Sequence, residues 1–153
     1  MIDLQQSGQG LEGYGMLAAQ LESLLADERD FIANAAQFSA FLFNQLDTLN
    51  WAGFYLNRKE ELVLGPFQGQ VACVRIPVGK GVCGTAVATG QVQLVTDVHE
   101  FPGHIACDAA SNSEIVLPLR HNGDIIAVLD IDSPNLARID ADDQTGLEQL
   151  IDT

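Results

Sequence analysis

Basic residues are what this chain lacks most. Seven lysines and arginines stand against 21 aspartates and glutamates, a formal net charge of −14. A face that neutralises phosphates needs clustered cations, so nucleic acid and anionic membrane surfaces are not expected partners. Long apolar runs are missing too, and nothing approaches the roughly 20 residues of a membrane-spanning helix. The opening residues MIDLQQSGQG carry an acid and no basic or apolar leader pattern, so no secretory signal is expected. Cysteine is scarce and odd in number, three in 153 residues, which suits a thiol-reducing compartment better than a disulfide framework. The cytosol is the expected location. An apolar share of 47% supports one hydrophobic core without staples, so residues 1–153 read as a single domain.

Helical spacing comes first along the chain. Leu11 to Leu25 places Met16, Leu17, Leu21, Leu24 and Leu25 on one stripe. A second helix is expected from Asp30 or Phe31 to Leu46, with Asp30 as N-cap and Phe31, Ile32, Ala35, Phe38, Leu42 and Phe43 facing inward. Strands follow at Trp51 to Leu56, Leu62 to Phe67 (kinked or ended by Gly65-Pro66) and Cys73 to Val78. Gly81 to Gly90 reads as a short helix closed by its last glycine. After a brief strand at Val92 to Val95 comes a long, aperiodic segment, Asp97 to Ser113, of the kind that is often functional. Ile115 to Arg120 and Ile125 to Ile131 form a hairpin through Asn122-Gly123, and Asp140 to Ile151 is a last helix. The order describes an α+β domain: a central antiparallel sheet, helices on one face, and a ligand pocket under loops on the other.

All three thiols, Cys73, Cys83 and Cys107, and two of the three histidines, His99 and His104, fall between Ala72 and Asp108. Single buried thiols are usually inert filler. Three within so short a stretch, two of them beside small residues, favour redox or nucleophilic chemistry. Gly79 to Gly84 matches G-x-G-x-x-G, but it lies mid-chain without a βαβ unit, so a dinucleotide site is rejected. A glycine-rich approach of a helix N-terminus to a small ligand is the expected use. Cys73, Cys83, His104 and Cys107 are a conceivable zinc set, yet no C-x-x-C pair supports it. A Cys107–His104 hydrolase lacks a visible third member.

Acids supply the second signal. Period-two alternation puts Asp130 and Asp132 on one side of a strand that follows the apolar run IIAVL. Carboxylates there are costly unless they meet a cation or share protons. Glu114, at the start of the paired strand, can join them. Asp132 has an ordinary alternative, since Ser133-Pro134 follows and it can simply cap a turn. Converging acids would bind an ammonium group, and a protonated one can act as an acid.

These residues carry a resemblance. The stretches NWAGFYL, ACVRIPVGKGVCG, GHIACDAASNSEIVLPL and IIAVLDIDSP, with the two leading helices, resemble the free methionine-(R)-sulfoxide reductases over nearly the whole chain. That family has the GAF fold and is cytosolic. The resemblance implies that Cys107 attacks the sulfoxide sulfur, that Cys73 resolves, and that Cys83 is a second resolving thiol or a relay. Cys83 also stays a contender for nucleophile. It implies further that Glu114, Asp130 and Asp132 hold the free amino group and protonate the oxygen. Trp51, joined by Tyr55, walls the methyl end. No bound cofactor or metal is implied. Free methionine-(R)-sulfoxide as substrate, a thioredoxin-type reductant and a homodimer are. A non-catalytic GAF sensor would keep the acids without needing Cys73 and Cys107, and a zinc module would keep the thiols without the acids.

Overall fold

The computed structural model describes residues 11–103 and 111–151. Helices α1 (Leu11–Leu25) and α2 (Phe31–Gln45) precede strands β1 (Trp51–Asn57), β2 (Glu61–Gly69) and β3 (Arg75–Pro77). Helix α3 (Gly81–Thr89), strand β4 (Gln93–Val95) and a 3-10 turn (Val98–Glu100) follow. Strands β5 (Ser113–His121) and β6 (Asp124–Ser133) and helix α4 (Ala141–Ile151) complete the chain order. Among the described residues the strands form one antiparallel sheet in the order β3-β2-β1-β6-β5-β4.

Alternation along the strands divides their side chains between two cores. Ala52, Phe54, Ile115, Leu117, Leu129 and Ile131 pack with α1, α2 and α4. Trp51, Tyr55, Val116 and Val128 point the other way, where they meet Leu62, Ile76 and the Val82, Cys83 and Ala86 side chains of α3. Three helices therefore cover one face, while the short α3 covers part of the face expected to lie under loops alone.

Asp30 caps α2 as expected, its carboxylate accepting from the Ala33 amide at 2.9 Å. Two stripe assignments change. Met16 is 57% exposed and Ile32 52% exposed, whereas Tyr14 and Phe41 are buried. Each residue turns a helix by about 100°, so Met16 lies off the line set by Tyr14, Leu17 and Leu21, and Ile32 off that of Ala35, Phe38 and Leu42.

Gly65-Pro66 kinks β2 without ending it. Gly53 pairs with Phe67 and Tyr55 with Leu64, so two steps on β1 face three on β2, and the extra residue is a bulge. Strand β3 pairs only with Glu61 to Val63, so Pro66 lies past its reach and its missing N–H breaks no bond there. The strand expected from Cys73 shrinks to three residues, because the Cys73 carbonyl is taken by the Tyr55 hydroxyl at 2.8 Å. The Asn122-Gly123 hairpin forms as read, both residues at positive φ between paired His121 and Asp124. Helix α4 starts with a reciprocal cap: the Asp143 amide donates to Asp140 and the Asp140 amide to Asp143. Asp143 also accepts from the Tyr14 hydroxyl at 2.7 Å and pairs with Arg138, which ties α4 to α1.

Candidate active site

Register alone brings the acids together. Glu114 on β5 lies opposite Asp132 on β6, and Asp132 lies opposite Trp51 on β1. Two residues along, Val116, Asp130 and Gly53 form the next row on the same face. Side chains at even spacing share a face, so Glu114, Asp130, Asp132, Trp51 and Tyr55 all point toward α3. Glu114, Asp130 and Asp132 are buried, at 6%, 6% and 7% exposure. In the turn that follows Asp132, the Ser133 hydroxyl accepts from the Asn135 amide at 3.1 Å.

Cys83 belongs to the same cluster. It is a free, buried thiol whose sulfur lies within 4.8 Å of carboxylate oxygens of Glu114 and Asp130. Burial pushes its pKa well up. The charges of Asp130, Glu114 and Asp132 add to this, as does a hydrogen bond to Asp130. Glu114 is raised well above the usual carboxylate range by burial first, then by Asp130 and Asp132, and hydrogen bonds with both aspartates hold its proton. Tyr55 is raised as well, chiefly by burial and then by Asp130. Glu114 and Cys83 hold their protons because three carboxylates and a thiol share one buried face.

The aromatic wall is a stack. Trp51 lies at 5.8 Å from Tyr55 and 5.1 Å from Phe67, nearly parallel to both. Its indole N–H donates to the Gln70 carbonyl at 3.1 Å, which fixes the ring. Phe67 is the residue that sequence reasoning missed. Its place depends on Gly53, where a Cβ would stand 2.2 Å from the Phe67 Cβ. A glycine inside an otherwise apolar strand was the available signal.

The glycine-rich turn serves packing rather than phosphates. Gly79 and Gly81 take positive φ, and a Cβ on Gly84 would meet the Pro77 carbonyl at 2.5 Å. This close approach of α3 to β3 lowers Cys83 onto the acids.

Cys73, half-buried in the segment between β2 and β3, is disulfide-bonded and therefore offers no thiolate to a zinc ion in this state. Cys107 and His104 lie outside the described residues. The ends of their segment are anchored beside the acids. The Val98 amide donates to the Asn112 carbonyl, the Asn112 amide donates to the Ser133 carbonyl at 2.8 Å, and the Asn50 side chain, just before β1, donates to the Ser111 hydroxyl. The His99 ring meets the Asn112 side chain at 3.0 Å, a bond that also steadies this exit.

Comparison with known proteins agrees with this geometry. The GAF domain pattern matches residues 25–153. Free methionine-R-sulfoxide reductase of Escherichia coli is 59% identical over 92% of this chain and 85% of its own. The chain belongs to the free methionine-R-sulfoxide reductase family of GAF domains. A structure of the Neisseria meningitidis enzyme of this family, in complex with its substrate, superposes with a TM-score of 0.93. It is 46% identical and covers 99% of this chain and 92% of its own. The Staphylococcus aureus member, also in complex with substrate, gives 0.89 at 49% identity, covering 97% and 95%. The antiparallel sheet with its helices is thus the family's GAF fold, as expected. No helix among the described residues is long and apolar enough to cross a membrane.

Proposed function

We infer that this chain is a free methionine-R-sulfoxide reductase, a cytosolic oxidoreductase of one GAF domain spanning residues 1–153. The observation that carries the reading is the buried set Glu114, Asp130 and Asp132 on one sheet face with Trp51 and Tyr55, whose hydroxyl holds the backbone of the disulfide-bonded Cys73. Carboxylates crowded on one buried face repel one another, and an ammonium group among them relieves that repulsion. A methionine inside a polypeptide has no such group, so the free amino acid is the fitting substrate.

The residues divide the work. Asp130 and Asp132 receive the ammonium, and Trp51, with Tyr55 and Phe67 stacked on it, receives the methyl end. Glu114, which keeps its proton, gives it to the sulfoxide oxygen. Cys107 attacks the sulfur as the thiolate, the S–O bond breaks, and methionine leaves with the oxygen retained on Cys107 as a sulfenic acid. Cys73 condenses with it, losing water, and the disulfide is reduced by an external dithiol of the thioredoxin type. The disulfide-bonded state of Cys73 supports a resolving role for it. Cys83, held protonated among the acids, suits a relay or second resolving role better than attack. No bound cofactor is needed. A homodimer remains the family expectation for assembly.

Single-turnover reduction of each epimer of free methionine sulfoxide, with thiols counted before and after, tests the reading. Two thiols should disappear with the R epimer alone, and Cys107→Ser should abolish the loss. Binding of either epimer without any thiol loss would overturn it in favour of a ligand sensor.

A further inference from the structure

The disulfide segment has an outer face that the chemistry above leaves unused. Residues 70–74 are held to the sheet by three carbonyls. Gln70 accepts from the Trp51 indole, Cys73 from the Tyr55 hydroxyl at 2.8 Å, and Val74 from the Leu64 amide at 2.9 Å. With the backbone pinned inward, two valines are turned out: Val71 is 85% exposed and Val74 59%. They flank Cys73, and β3 beside them is an outer strand of the sheet. Exposed apolar side chains on a rigid segment, rimmed by charge, mark contact sites.

The far end of this edge is where the acidic chain keeps most of its cations. Arg58, Lys59, Arg75 and Lys80, four of seven lysines and arginines, sit on the β1–β2 turn, at the start of β3 and at the N-cap of α3. The turn and β3 are joined, the Val78 amide donating to the Glu60 carbonyl and Pro77 pairing with Glu61. Glu60 and Glu61 offset part of this charge, Glu61 by pairing with Arg75, yet the edge stays basic on a molecule of formal charge −14.

We propose that Val71 and Val74, with Arg58, Lys59 and Lys80 farther along the same edge of the sheet, form the docking surface for an acidic protein dithiol that reduces the Cys73 disulfide. This rests on the reductase reading and adds the place and charge of the reductant. A small dithiol needs no such surface. A protein dithiol does, and an acidic one would be repelled by most of this chain and drawn to its basic edge. There one partner thiolate attacks the Cys73 sulfur and the old S–S bond breaks. The leaving thiolate takes a proton, and the partner's second thiol then displaces Cys73, so the partner departs as the disulfide.

Oxidised protein is mixed with reduced thioredoxin or with dithiothreitol, without sulfoxide, and the appearance of thiols is followed in stopped flow. V71D/V74D should slow reduction by thioredoxin about tenfold and leave dithiothreitol within about twofold. R58E/K80E should slow thioredoxin likewise and weaken the fall of its rate with added salt. Equal losses with both reductants, or no loss with thioredoxin, would overturn the proposal. So would V71D/V74D turning a dimer into a monomer by light scattering with thioredoxin reduction unchanged, because a second copy would then be the occupant. Normal reduction by thioredoxin in a protein that turns over no methionine sulfoxide would sink the reductase reading and leave the docking surface standing.

Discussion

A glutamate buried between two aspartates keeps its proton until a cation arrives, and Glu114 is in that position. Its folded pKa is raised, so the native state holds a proton that the unfolded state releases above about pH 4.3. The linked stability is therefore fully present below that pH and declines as pH rises toward the folded value. Glu114→Gln removes the proton exchange. The melting temperature of wild type relative to this variant should fall as pH rises above the unfolded value, and a constant difference would show that Glu114 is not held neutral. The same variant should lose sulfoxide turnover at neutral pH, since an amide supplies no proton to the oxygen. Tyr55→Phe tests a structural bond of the site. Losing the hydroxyl that holds the Cys73 carbonyl should cost about 1 kcal/mol in a urea melt. The residue types of the site were legible because period two already put Asp130 and Asp132 on one side. That Phe67 joins Trp51 was not, because the contact needs a bulge in β2 and a glycine on β1.

At the scale of elements, local chemistry set the ends and tertiary contacts set the faces. Asp30 stops α2 at its N-terminus through one bond to Ala33, and Asp30→Ala should lower stability by about 1 kcal/mol in a denaturant melt. Helix α3 is held differently. Gly84→Ala would push a Cβ into the Pro77 carbonyl, costing about 1–3 kcal/mol by the same measurement. It should also lift Cys83 off the acids, which faster alkylation of Cys83 by a neutral reagent would reveal. The hairpin at Asn122-Gly123 was readable because few residues accept two successive positive φ angles. The stripes of α1 and α2 were misjudged at Met16 and Ile32 because hydrophobicity says that a residue favours burial, not which neighbour is present to bury it.

Across the whole molecule, 21 acids against seven basic residues impose self-repulsion on the compact state. Raising sodium chloride from 10 to 200 mM, a screening range in which the Debye length falls from about 30 Å to under 10 Å, should raise the melting temperature. A melting temperature indifferent to salt would mean that the surface charges are already compensated locally. The sequence by itself determined the class of the fold, the strand and helix order, the scarcity of cations and the resemblance to a family. These follow from periodicity, turn chemistry and composition, which act between near neighbours in the chain. Only the tertiary structure decided that Glu114, Asp132 and Trp51 share one cross-strand row and that Cys83 descends onto the acids from α3. It also decided that Val71 and Val74 face outward around a bonded Cys73. Those facts depend on register and on which groups capture each carbonyl, and both are settled between residues far apart in sequence.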